Sequence, residues 1–150
     1  MHFSESFSVR APPEAVFAYA ADFRNLPDWD PTIISVDKST PGEIAVGTEF
    51  RVKLKFFGFD TEMSYRVEEW EPGRRAVLRG TTPVATAIDT VTVARKGSGT
   101  GVTWDAEIRF VFPLNVLDPL FTAGFRSTVT AAVGGLQRAL RNLPGSADSP

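Results

Sequence analysis

Glu5, Tyr65 and Asp89 each combine a proton-transferring group with an apolar setting. Phe3, Glu5, Phe7 and Val9 alternate with His2, Ser4, Ser6 and Ser8, which puts the Glu5 carboxyl on the apolar face of a strand. If that face lines a cavity, desolvation raises the carboxyl pKa and suits it to acid/base work. At a strand end the same group would reach water or pair with a base. Asp89 shares one face with Ala87, Val91 and Val93, while Ile88, Thr90, Thr92 and Ala94 share the other, and the alternation leaves open which is inside. A strand carrying Arg79 should lie alongside, so a cross-strand Asp89–Arg79 pair is expected. Facing a cavity it would orient a carbonyl or hydroxyl; facing water it would add little. Tyr65 lies between Met63 and Val67 on an inner face, and its buried hydroxyl calls for a ligand, a backbone carbonyl or water.

Other chemistry is narrowed by what the chain lacks. His2 is the single imidazole and Cys is absent, so thiolate catalysis and a His-rich zinc site are excluded. A Ser-His-Asp triad would have to rest on a residue at the frayed chain end. Asp105, Glu107 and Arg109 alternate with Trp104 and Ile108 and read as a solvated strand face. No phosphate-cradling glycine loop or metal-ligand cluster is present, so no cofactor and no metal are expected. The net charge is −2 with Lys and Arg scattered, so no nucleic-acid partner is expected. Arg51, Lys53, Lys55 and Arg66 form the one placeable basic group, a wet face or a protein-docking surface. No apolar run is long enough for membrane insertion and no signal pattern opens the chain, which fits a cytoplasmic location.

The elements that must position these groups follow from periodicity. After the first strand, Ala11-Pro12-Pro13-Glu14 opens a helix with Val16, Phe17 and Ala20 inward. Asp22 caps a second short turn, Phe23 to Trp29, ended by Pro31. Strands are expected at Ile33–Lys38, Thr48–Phe57, around Met63–Glu68, Ala76–Thr81, Thr86–Lys96 and Val102–Phe110. Gly97 to Gly101 should form a hairpin loop. Trp29 should plug the end of the sheet, Trp70 sit at a rim and Trp104 lie in the core or a cavity wall.

Asp118-Pro119 reads as an N-cap and first helical residue, and Leu117, Phe121, Phe125, Val129, Val133, Leu136, Leu140 and Leu143 form one stripe. About 25 helical residues at ~1.5 Å each span roughly 37 Å, the width of a small domain. Within this helix Gly124 and Gly134-Gly135 allow close approach to the sheet or room for a ligand, and Gly134-Gly135 is where a bend is expected. The fold class is α+β: a seven-stranded curved antiparallel sheet wrapped on a long C-terminal helix, with two short helices between strands one and two. One domain is expected over residues 1–143, followed by a disordered tail at 144–150.

Several stretches resemble a known family. They are Val9-Arg10-Ala11-Pro12-Pro13-Glu14-Ala15-Val16-Phe17, Asp22-Phe23-Arg24-Asn25-Leu26-Pro27-Asp28-Trp29, Gly47-Thr48-Glu49-Phe50, Tyr65-Arg66-Val67-Glu68-Glu69-Trp70-Glu71-Pro72, Gly101-Val102-Thr103-Trp104 and Leu117-Asp118-Pro119-Leu120. Together they are similar to the START/birch-pollen-allergen superfamily with its helix-grip fold, within the SRPBCC or polyketide cyclase/dehydrase branch. The resemblance implies a cavity between sheet and long helix that holds a lipid, polyketide or other small hydrophobic molecule. Phe50, Val52, Leu54, Met63, Tyr65, Arg79, Asp89, Trp104, Phe121, Phe125 and Val129 are the residues expected along it. Carriers, cyclases and ribosome-associated toxin-like proteins share this fold, so three functions stand: a carrier, an enzyme using Glu5 or Asp89 with Tyr65, or a protein-binding module. A monomer or weak homodimer is expected.

Overall fold

The computed structural model describes residues 1–56 and 58–143. The tail expected at 144–150 lies outside them. Strand β1 (His2–Val9) leads into helix α1 (Pro13–Ala20), a 3-10 turn at Phe23–Asn25 and the single-turn helix α2 (Leu26–Trp29). Strands β2 (Ile33–Lys38), β3 (Glu49–Phe56), β4 (Phe59–Glu71), β5 (Arg75–Thr81), β6 (Ala85–Lys96) and β7 (Gly99–Phe110) follow, then a 3-10 turn at Leu114–Leu117 and helix α3 (Asp118–Arg141). The strands form one seven-stranded sheet in the order β1-β7-β6-β5-β4-β3-β2. Every described pairing is antiparallel, so β2 to β7 make a meander and β1 closes onto its last strand. This is the expected α+β helix-grip architecture.

Local chemistry accounts for the ends of the elements. Pro13 opens α1, where a missing N–H costs nothing. The Asp22 carboxylate caps the first 3-10 turn by accepting from the Arg24 backbone N–H at 3.0 Å. The expected cap on α3 is not made: Leu117 is the N-cap, Asp118 and Pro119 already lie inside the helix, and no side chain caps it. The 3-10 turn before α3 shifts the boundary by one residue, and the buried Asp118 Oδ1 has no partner among the described residues.

The loop expected at Gly97–Gly101 is shorter than its glycines suggest. Lys96 already pairs with Gly99, leaving Gly97-Ser98 as the turn, with Gly97 at φ +61°. Gly99 is small for another reason: a Cβ there would meet the Val9 carbonyl oxygen at 2.2 Å. Next to it the fully buried Thr100 donates to the Ala11 carbonyl at 2.7 Å, tying the end of β1 to the start of β7.

A register shift between Val67 and Glu69 turns Trp70 back to the inner face. Its ring meets Phe17 of α1 edge-on at 4.9 Å, and Trp70 is half-buried, packed against the edge of the core. The C-terminal half of α3 is firmly packed. Leu136 and Leu140 are fully buried and share a core with Phe23, Phe50, Leu78 and the inward valines. Each such side chain removed from water stabilises the fold by about 1.5–3 kcal/mol. The helix is continuous through Gly134-Gly135. Gly135 permits close contact, as one expectation had it, though with α2 and not the sheet: a Cβ there would lie 2.1 Å from the Trp29 carbonyl oxygen. The N-terminal half of α3 is looser: Phe121, Phe125 and Val129 are only half-buried and Gly124 is exposed.

Candidate functional site

The looseness of that half has a cause. Between it and the inner sheet face lie two cavities of about 130 and 170 Å³. They adjoin, since Leu54, Met63 and Tyr65 line both. Each is smaller than the ~300–1,000 Å³ usual for drug-sized ligands, and together they reach the lower end of that range.

Asp89 stands in the first chamber. The register settles its orientation: it lies opposite Leu78, on the buried face with Ala87, Val91 and Val93. The Trp104 Nε1–H of β7 donates to its Oδ1 at 3.2 Å. The Tyr65 hydroxyl of β4 stands beside the same carboxylate and favours its charged form. Asp89 keeps some exposed area because the chamber is open, while its carboxylate is cut off from bulk water. That desolvation pushes its pKa up to about 6; the Trp104 bond and the Tyr65 hydroxyl pull it down, and the nearby Asp30 charge pushes it up again. Burial, reinforced by Asp89, holds the Tyr65 hydroxyl well above its ordinary value, so it stays protonated.

Asp30 belongs to the same chamber and is absent from the candidates drawn from the sequence. It follows the last turn of α2, and its Oδ1 accepts from the Thr32 backbone N–H at 2.9 Å and the Thr32 hydroxyl at 2.7 Å. Burial raises its pKa against the lowering effect of those bonds. The Asp30-Pro31-Thr32 sequence carries an Asx-turn signal, but only the fold reveals that the turn faces a cavity. Trp29 also lines this chamber, 5.3 Å from Trp104 and nearly perpendicular to it. It is 7% exposed, and its Nε1 has no partner among the described residues.

Of the other expected site residues, Val52, Leu54, Met63, Trp104 and Val129 line the first chamber, and Phe125 lines the second with Phe56, Ala87, Ile108 and Phe110. Phe50 does not reach the cavity; it is core, 6.0 Å from Phe23. Phe121 packs on Phe110 at 5.1 Å and lines neither chamber.

Two expectations are corrected. Arg79 lies opposite Ile88 on the outer face and pairs with Glu68 at 3.0 Å, so the Asp89–Arg79 pair does not form. A one-residue difference in register exchanges the two faces of a strand, and here it sends Asp89 inward and Arg79 outward. Glu5 is neither at a strand end nor at the cavity: it sits mid-strand opposite Trp104, where the Thr130 hydroxyl of α3 donates to it at 3.4 Å. β1 is the edge strand and α3 lies over it, with Arg126 5.7 Å above the Phe3 ring.

The outer groups behave as strand faces. Arg51 pairs with Glu62 at 3.2 Å and Lys55 with Asp60 at 2.9 Å, so the basic group is interleaved with acids. His2 is exposed and 3.7 Å from Asp105, and Arg109 pairs with Glu107.

At the end of the sheet carrying the second chamber, large apolar side chains stand in solvent. Phe59 follows the β3–β4 turn, Val84 sits in the β5–β6 turn, and Phe112, Val116 and Leu120 belong to the passage from β7 into α3. No described helix is long and apolar enough to cross a membrane.

A family model described as polyketide cyclase / dehydrase and lipid transport matches residues 1–144. Among solved structures, TTHA0849 from Thermus thermophilus is 18% identical, with a TM-score of 0.78 and coverage of 93% of this chain and 97% of that one. A START superfamily protein from Mycobacterium smegmatis is 13% identical, with a TM-score of 0.77 and the same coverage. The Zhui aromatase/cyclase from Streptomyces sp. R1128 is 15% identical, with a TM-score of 0.77 and 96% of each chain covered. At these identities the likeness is one of fold. No curated protein matches the chain.

Proposed function

The chain belongs to the polyketide cyclase / dehydrase and lipid transport family, and from that premise we propose that it binds and carries a small hydrophobic molecule between sheet and long helix. Membership supports a ligand-binding or cyclase role. The observation that carries the narrower reading is the pair of adjoining chambers, walled mainly by Leu54, Met63, Phe110, Phe125 and Val129 with few polar groups. Such a lining removes an apolar molecule from water and leaves the polar groups to orient it. The exposed apolar rim at the second chamber is a suitable passage. Native mass spectrometry of the purified chain tests this: a small apolar adduct should survive gentle ionisation and disappear on denaturation. If no adduct is seen, and no apolar ligand raises the melting temperature, the proposal fails.

A second reading is favoured by one contact. A carboxyl with a pKa of about 6 and a protonated tyrosine beside it are the parts of an acid/base catalyst for a cyclase or dehydratase step. Asp89 would take the proton and Tyr65 would polarise a carbonyl. Under this reading Asp89→Asn and Tyr65→Phe each slow turnover of an enolisable ketone by ~100-fold or more. Equal rates in wild type and both variants would dismiss it.

A further inference from the structure

We infer that the first chamber is built for a cationic amine, a protonated-amine head with an apolar tail, and that it rejects anionic amphiphiles. The inference rests on the ligand-binding reading above and names the ligand class.

The first argument is charge. Asp30 and Asp89 both line the chamber, and no Lys, Arg or His is among its described lining residues. The ionisable groups facing Asp89 are Tyr65 from β4 and Asp30 from the connection after α2. On β5, Leu78 stands opposite Asp89, and α3 presents Thr128, Val129, Ala132 and Val133, none ionisable. Two carboxylates that oppose each other's ionisation in an apolar cavity therefore have no counter-charge from the protein. A buried charge without a partner is costly, and a cation between the two relieves both.

The walls supply the second argument. Phe23, Trp29, Tyr65 and Trp104 put four aromatic rings around the same space. Their electron-rich faces attract ammonium groups and offer nothing comparable to an anion. A carboxylate or phosphate on a ligand would instead add negative charge beside Asp30 and Asp89. Size agrees: about 130 Å³ holds a head of a few heavy atoms, and the apolar chamber of about 170 Å³ takes a short tail.

The test is calorimetric titration of the full chain with three eight-carbon probes: octylamine, 2-octanol and octanoate. Near neutral pH octylamine should bind tightest, about tenfold over 2-octanol, with octanoate weakest. The advantage of the amine should shrink as pH falls through about 6, where Asp89 takes up its proton. Asp89→Asn and Asp30→Asn should each reduce the amine-to-alcohol ratio, with circular dichroism checking that they fold. Octanoate binding as tightly as octylamine, or an amine advantage that survives both Asp→Asn variants, overturns the inference. If all three probes bind alike, the ligand-binding reading stands and this inference falls; if none binds, this inference falls, and the adduct and melting-temperature test above decides the ligand-binding reading separately.

Discussion

The Trp104 indole N–H reaches the Asp89 carboxylate at 3.2 Å from the adjacent strand. The two are diagonal neighbours, because Asp89 pairs with Ala106 and Trp104 with Val91. The bond holds a carboxylate on the concave face of the sheet without bringing in a cation. It offsets only part of the desolvation, which is why the Asp89 pKa lies near 6 and above the ordinary 3.8.

That shift makes stability depend on pH. The folded carboxyl holds its proton more tightly than the unfolded one, so this group costs nothing below about pH 4 and progressively more as pH rises to about 6. The shift of about two units corresponds to roughly 3 kcal/mol at full strength, less any screening by cavity water. Asp30 acts in the same direction. Asp89→Asn should therefore be more stable than wild type at pH 7 by about 1–3 kcal/mol, with the gain vanishing near pH 4. Urea denaturation at the two pH values measures it, and a larger gain at pH 4 would contradict the assignment.

Gly134 and Gly135 should respond oppositely to alanine. At Gly135 the new methyl meets the Trp29 carbonyl, which is backbone and cannot swing aside, so a loss of about 1–3 kcal/mol is expected. At Gly134 the nearest atom is the flexible end of Arg138 at 3.6 Å. There helix propensity dominates, and a gain of up to ~1 kcal/mol is expected. Thermal melts of the two variants decide it; equal shifts would mean that contact with α2 does not set the choice of glycine.

Gly80 lies across from Tyr65, and a Cβ there would fall 2.6 Å from the phenol ring. Gly80→Ala should push the ring off the sheet and move its hydroxyl relative to Asp89. Combined with Tyr65→Phe, the effects on ligand affinity should be less than additive by about 0.5 kcal/mol or more, as for residues in contact. Strict additivity in the double-mutant cycle would show that Gly80 does not hold Tyr65 in place.

Val129 separates binding from folding. It lies on the half-buried part of α3 and lines the first chamber. Val129→Phe should fill the void and abolish ligand uptake while changing stability by less than about 1.5 kcal/mol. Retained uptake with an unchanged melting temperature would place the ligand elsewhere.

The long helix, the strands with a sustained alternation and the order of elements were legible in the sequence, because each depends on a period or a turn signal read over neighbouring residues, although β4 proved longer at both ends than its alternation suggested. The stripe from Phe121 to Leu140 and the alternation through Phe50, Val52 and Leu54 specify buried faces whatever lies against them. Family resemblance was legible for the same reason, through caps and turns such as Asp22 and Gly47-Thr48. Composition also excluded thiolate and His-cluster chemistry outright.

What the sequence left open was decided by register and packing. In the strand carrying Asp89 both faces hold small and β-branched residues, so alternation could not choose between them. The pairing of Leu78 with Asp89 made the choice, and it sent Arg79 outward. Asp30 gave no periodic signal, because it lies in a turn whose direction is fixed by α2 packing on α3 and β2. Glu5 has the pattern of a site residue yet lies at the sheet edge under α3, away from the cavity. Local sequence sets which face of an element is buried, since period and propensity act over neighbouring residues. Which buried groups meet across a cavity depends on contacts distant in the chain, and only the closed sheet with α3 laid over it brings Asp89, Tyr65, Trp104 and Asp30 to one place.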